Sequence, residues 1–231
     1  MLAITGGKGG CGKTTTALGL ARALARDGAD PLVVDADTDL PDIHLLAAVD
    51  REPTWDRLAS GQSPERLCQR VPWLGGVAVL PGGTQERLGQ ALRRLSDWHG
   101  PVLVDCAAGA GPPAVTPLRH ADRSVLTTVN APEALSDGAK AARIAAQLDA
   151  PPVVTVIRSE QPPSELGFDG GAVTRLPSVD VGTTRARAVE TVLHDPQVQT
   201  AYRRAATTLR VGRSGEPIFS NDTGGGMFNG A

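Results

Sequence analysis

The stretch GGKGGCGKTT at residues 6–15 limits what this chain can fold into more than any other feature. An apolar run, Leu2–Thr5, precedes it. TTTALGLARALARDG runs on from Thr14, with apolar residues at helical spacing up to Gly28, a natural helix stop. Gly7–Thr14 fits G-x-x-x-x-G-K-[ST], a phosphate-binding loop, in the strand-then-helix setting that the motif requires. Glycines let the backbone close around phosphate with its N–H groups turned inward, and the helix N-terminus adds the positive end of its dipole. The predicted cradle is Gly7, Lys8, Gly9, Gly10, Cys11, Gly12, Lys13, Thr14 and Thr15. In it Lys13 reaches the β- and γ-phosphates and the Thr14 hydroxyl ligates Mg²⁺.

The rest of the chain alternates in the same way. Buried strands are predicted at Pro31–Asp35, Val77–Gly83, Pro101–Gly109, Arg123–Val129, Pro151–Ile157 and Ala172–Pro177. Helices are predicted at residues 84–95, about Glu133–Leu148, Thr184–His194 and Pro196–Leu209, and a loop with a short helix at 36–50. Apolar strands alternating with helices imply a three-layer α/β fold, a parallel sheet covered on both faces. There is no internal repeat. Residues 1–211 read as one domain, and the Gly-rich tail 212–231, like Ser159–Gly171, reads as weakly ordered.

Two strand ends carry carboxylates suited to phosphate chemistry. VLVDC places Asp105 where a phosphate-loop enzyme holds its metal. VVDADTDLPD ends the second strand with Asp35 and puts Asp37 two residues on. Strand C-termini face the ligand crevice of a parallel sheet, so either residue is placed to position Mg²⁺ or the attacking water. Asp39 and Asp42 read as a solvated acidic turn. No [NT]-K-x-D guanine motif occurs, which favours ATP over GTP.

Charge and cysteines bound the alternatives. The net charge of −2 gives no global pull toward nucleic acid or acidic membrane. Cys11, Cys68 and Cys106 are odd in number and far apart, which suggests a reducing interior. No apolar run approaches the ~20 residues of a membrane span and no signal peptide is visible, so a cytoplasmic protein is expected. Of 23 basic residues only Lys8, Lys13 and Lys140 are lysines, and two of them share one loop. A compact ammonium is not interchangeable with a guanidinium fork, so the bias argues that both loop positions need lysine.

KGGCGKTT also matches K-G-G-x-G-K-[ST]-[ST], the deviant Walker A pattern, and on it the chain resembles the MinD/ParA family of P-loop ATPases. VVDADTD resembles that family's switch I, VLVDCAAG its switch II, VAVLPGG its edge-strand motif and RSGEPI a motif near its C-terminus. The resemblance covers about residues 1–218. It implies a mostly parallel sheet of seven or eight strands and an ATP- and Mg²⁺-dependent homodimer that positions or regulates cargo. By the same resemblance Lys8 crosses the dimer interface to the partner's phosphates, Asp37 orients the attacking water, and Thr14, Asp37 and Asp105 surround the metal. The chain departs from the pattern in three places. Switch II lacks the usual proline at 107. Val156-Ile157-Arg158-Ser159 stands where members place an adenine-reading Asn. The C-terminal EPIFSNDTGGGMFNGA has no Lys or Arg, so no basic membrane-binding helix is expected.

Other functions remain open on the sequence. Metallocluster carriers of the Mrp type share this loop and hold iron–sulfur through cysteines, often C-x-x-C, which is absent here; Cys106 and Cys11 are the candidates near the site. An amidoligase would need a substrate domain for which 231 residues leave little room. Arg203, Arg204, Arg210 and Arg213 make a basic cluster, read either as a nonspecific DNA contact or as a solvated helix face.

Overall fold

The computed structural model describes residues 1–161, 163, 165–181 and 185–211, without the side chains of 185, 186 and 211. Eight strands form one sheet: β1 (Leu2–Thr5), β2 (Leu32–Ala36), β3 (Gln69–Val71), β4 (Val77–Leu80), β5 (Val102–Cys106), β6 (Arg123–Val129), β7 (Pro152–Arg158) and β8 (Ala172–Leu176). Their order is β3-β4-β2-β5-β1-β6-β7-β8, and every neighbouring pair is parallel except β3–β4. All seven expected strands are present. The added β3 is a three-residue antiparallel edge strand.

The helices are α1 (Lys13–Arg26), α2 (Ile43–Ala47), α3 (Asp56–Ala59), α4 (Pro64–Leu67), α5 (Gln85–Arg94), α6 (Pro112–Leu118), α7 (Pro132–Gln147), α8 (Arg185–His194) and α9 (Pro196–Val211). Alternate strand residues serve opposite layers, as the period of two requires. Leu2, Ile4, Val33, Val79 and Leu103 join α1, α2, α8 and α9 in one core. Leu32, Val34, Ala78, Leu80, Val102 and Val104 join residues of α3, α4 and α5 in the other. Ala3 and Cys106 pack with α6 and α7 on that second face. Alanine dominates α1 and α7, so these helices lie close to the sheet with few aromatic spacers.

This frame gathers the carboxyl ends of β1, β2 and β5. Register pairs Ile4 with Asp105, and Asp35 with Asp105, on adjacent parallel strands. The phosphate loop, the β2–α2 loop and the β5–α6 loop therefore leave the sheet side by side. Residues 159–171 contain no helix or strand among the described residues, in line with their composition. The tail 212–231, with the RSGEPI motif and Arg213, lies outside the described residues.

Candidate functional site

The loop between β1 and α1 has the geometry of a phosphate cradle. Gly12 sits at the helix N-cap with φ 98°, and its carbonyl accepts the Thr16 N–H at 2.8 Å. A side chain at that φ would be strained, so the glycine is a backbone requirement. Gly7 is needed for space: a Cβ there would lie 2.3 Å from the Asp137 backbone in α7. Gly9 and Gly10 are exposed at the rim. Cys11 turns inward, its Sγ 3.2 Å from Thr127 Oγ1 on β6.

The two loop lysines differ sharply. Lys13 opens α1 with 8% of its surface exposed. The Lys8 side chain is 60% exposed and meets Glu133 at 4.0 Å, an exposed ion pair of little energy.

Three carboxylates stand beside this loop and are held differently. Asp105 is fully buried at the end of β5. The Thr14 side chain hydrogen-bonds to it, while its Oδ1 has no hydrogen-bond partner. Burial, first, and the charges of Asp42 and Asp37 push its carboxyl up to about 7, against the pull of Thr14 and Lys13. Asp35 is buried too, but both of its oxygens are in use: Oδ1 accepts the Asp37 N–H at 3.2 Å and Oδ2 the Ile43 N–H at 3.1 Å. Burial and then the Asp105 charge hold it well above the usual carboxylate range. Asp35 therefore braces the β2–α2 loop. Asp37 is half-buried, with Oδ1 accepting the Leu40 N–H at 3.1 Å. Of the carboxylates whose charge reaches Asp105, it is less buried than Asp42.

A buried carboxylate oxygen without a partner, beside a hydroxyl and an ammonium, is costly unless a cation completes it. The hard-oxygen set of Thr14, Asp105 and Asp37 suits Mg²⁺, which prefers few protein ligands together with water and phosphate oxygens. No group of three or more His, Cys, Asp or Glu side chains among the described residues forms an all-protein metal site.

Asp42 corrects the sequence reading. It is 8% exposed and its charge reaches both Asp35 and Asp105. The cause is local: the chain turns into α2 there, the Asp42 carbonyl accepting Leu45 N–H and Leu46 N–H at 3.0 and 3.1 Å. Asp39 is exposed, as expected.

Of the basic cluster, Arg203, Arg204 and Arg210 are described and have different surroundings. Arg203 lines a cleft with Arg22 and Arg26 of α1, Arg204 lies on a groove between α9 and β8, and Arg210 pairs with Asp27 at 3.6 Å.

Cys106 is fully buried among apolar side chains, which pushes its thiol far up, and Cys11 is occupied against Thr127. Both cysteines are turned into the fold, so nothing near the loop among the described residues supports the cluster-carrier alternative.

Sequence reasoning missed a cavity of about 120 Å³ beside the loop. Thr15 and Gly12 form one wall; Val156 and Arg158 of β7, Leu176 of β8, and α8 and α9 form the rest. Its residues come from five separated segments, which no local motif announces.

Residues 2–158 match the family described as the CobQ/CobB/MinD/ParA nucleotide binding domain. Among curated relatives, the antiactivator FleN of Pseudomonas aeruginosa is 33% identical over 150 residues, covering 59% of this chain and 53% of FleN. An ATP-binding protein of Methanocaldococcus jannaschii is 27% identical over 209 residues, 85% of this chain and 72% of that protein. The septum site-determining protein MinD of Synechocystis is 26% identical over 148 residues, 59% of this chain and 56% of that protein. The chain thus spans only about half the length of FleN and of that MinD. Among solved structures, MinD of Pyrococcus horikoshii in complex with Mg-ADP superposes with a TM-score of 0.75 at 23% identity, covering 89% of this chain and 93% of that one. That likeness bears on the fold, a P-loop nucleotide-binding sheet. With the family match over more than half its length, the chain belongs to the CobQ/CobB/MinD/ParA nucleotide-binding family, and its loop carries the deviant Walker A signature of the MinD/ParA ATPases.

Proposed function

We propose that the protein is a Mg²⁺-dependent ATPase that works as a dimeric switch of the MinD/ParA kind, positioning or regulating a cellular cargo. The observation that carries this reading is the contrast between the loop lysines. Lys13 is buried beside Asp105, as a phosphate ligand of its own subunit should be, while Lys8 projects from the loop with a weak partner. An exposed cation at the rim of a phosphate cradle can neutralise phosphoryl charge across an interface, as an arginine finger does.

In this reading the loop N–H groups and Lys13 hold the β- and γ-phosphates. Thr14, Asp105 and Asp37 hold Mg²⁺, which when bound offsets charge on the phosphate oxygens. Asp37 orients the water, and its link to the Leu40 N–H ties its position to the β2–α2 loop. Asp35 and Trp55, whose Nε1 donates to the Asp35 carbonyl at 2.7 Å, fix the strand end from which that loop starts.

Relatives named for septum and flagellum site determination support the positioning role. A nucleic-acid partner would meet Arg203 and Arg204, which are exposed on α9. No helix among the described residues is long and apolar enough to cross a membrane.

The test is nucleotide binding and phosphate release by the wild type and by Lys13→Ala, with and without Mg²⁺. The expected result is slow, Mg²⁺-dependent turnover that the substitution removes. Equal turnover in both proteins would overturn the assignment.

A further inference from the structure

The cavity beside the loop has a place in the chemistry set by the sheet. The metal-holding carboxylates lie on β5 and β2, to one side of β1. The cavity lies on the other side, where β7 and β8 end, with Thr15 of the loop as the shared wall. A nucleotide whose terminal phosphates meet Lys13 and Asp105 must direct its base away from them, and this cavity is where that direction leads. Its volume, about 120 Å³, is that of a single ring system with little room to spare.

Its lining is mostly aliphatic, with Val156, Leu176, Val179 and Val198 among the walls. No carboxylate or side-chain amide lines it among the described residues. The Thr16 and Tyr202 hydroxyls face each other at 3.3 Å and satisfy one another. The one charged group among the described lining residues is Arg158, at the end of β7 in register with Val129 and Leu176. Arg158 and Tyr202 both line the cavity. The preceding Ile157 is fully buried in the sheet and offers the base nothing.

Donors and acceptors then decide selectivity. A guanidinium only donates. Adenine offers a guanidinium one ring acceptor, N1 or N7, beside a donating amine, whereas guanine presents O6 and N7 as a pair of acceptors that an arginine fork fits. Guanine in turn brings donors at N1 and N2, and no lining carboxylate receives them. Each purine leaves comparable groups unmet, and aliphatic walls discriminate weakly between molecules of one shape. We infer that the cavity receives the nucleotide base and, through Arg158, accepts guanine as well as adenine, so that the protein binds and hydrolyses GTP beside ATP. This rests on the reading of the loop as a nucleotide site. The reaction is the same for both: a water oxygen bonds to the γ-phosphorus, the bond to the β–γ bridging oxygen breaks, and the diphosphate and inorganic phosphate leave. Absence of the [NT]-K-x-D motif excludes a dedicated guanine reader but does not create an adenine reader.

The test is competition of Mg-ATP and Mg-GTP against a fluorescent ATP analogue on the full chain, with phosphate release measured for each, in the wild type and in Arg158→Ala. Arg158 is exposed, so the variant should melt with the wild type. GTP is expected to bind within about tenfold of ATP, and Arg158→Ala to weaken GTP about tenfold more than ATP, the scale of one bidentate arginine contact. A wild-type preference for ATP much above tenfold, or equal weakening of both nucleotides in the variant, overturns the inference and leaves the ATPase reading standing. Failure of both nucleotides to bind overturns the two together.

Discussion

Replacing Asp105 by Asn should make the nucleotide-free protein more stable at alkaline pH, although it removes a residue the function needs. The carboxyl is fully buried, one oxygen has no partner, and its pKa is pushed from 3.8 to about 7. The folded state therefore holds this proton more tightly than the unfolded chain does. The sign follows: stability from this group is greatest below about pH 4, declines as pH rises, and the full penalty is present above about pH 7. A gap of about three units at about 1.4 kcal/mol each sets an upper limit of about 4 kcal/mol. Asn removes the charge but brings an N–H₂ that must find an acceptor, at a cost of about 1–3 kcal/mol. The net gain at pH 8 is then about 1–3 kcal/mol, and relief of Asp35, which Asp105 also pushes up, adds in the same direction. Urea unfolding of both proteins, without nucleotide or Mg²⁺, at pH 8 and pH 5 measures it. In a chain of 231 residues each kcal/mol is worth about 2–4 °C of melting temperature, so thermal melts give a second reading. The advantage of the variant should shrink at pH 5. Adding Mg-ATP should stabilise the wild type and not the variant. Equal stability of the two proteins at pH 8, with parallel pH profiles, would refute the claim that Asp105 is an uncompensated buried charge.

Asp37→Ala should leave ATP binding nearly intact and stop turnover, because a water-orienting group acts mainly in the transition state; wild-type turnover would return the role to Asp35. Gly7→Ala should destabilise the protein by about 2 kcal/mol or more, since the added methyl meets Asp137 backbone and not a yielding side chain. Gly9→Ala, with nothing within 4 Å, should stay within about 0.5 kcal/mol of wild type, and chemical denaturation separates the two. Cys11→Ser with Cys106→Ala should retain nucleotide binding and purify without iron; an iron-dependent colour lost on substitution would revive the cluster carrier.

How much of this was legible varies by element. The strand, loop and helix from Leu2 to Arg26 were readable because every signal there is local: apolar run, glycines, helical period. So were Asp105 and Asp37, since a parallel sheet delivers its strand ends to one crevice. Gln69–Val71 was not, because a three-residue strand with one buried position has no period of its own; pairing to β4 creates it. PPAVTPL carries no local helix signal, yet it forms α6: Pro112 and Pro113 occupy the first turn, where no N–H is missed, and Pro117 falls in the last. The different fates of Asp35 and Asp42 depend on how the β2–α2 loop folds back. Trp55, among the largest fully buried side chains, packs in the second core and donates to the Asp35 carbonyl, contacts that only the folded chain brings together. The cavity beside the loop was least legible, because its walls meet only in the finished fold.

The central claim is that the exposed Lys8 makes assembly depend on nucleotide. Light scattering on the Asp37→Ala protein, with and without Mg-ATP, tests it directly when repeated after adding Lys8→Ala and, separately, Lys8→Arg. The account predicts a dimer only with Mg-ATP and only with Lys8 present, neither substitution restoring it, since a planar fork presents its donors differently from a point ammonium. A dimer of equal strength with Lys8, with Ala in its place and without nucleotide would contradict it.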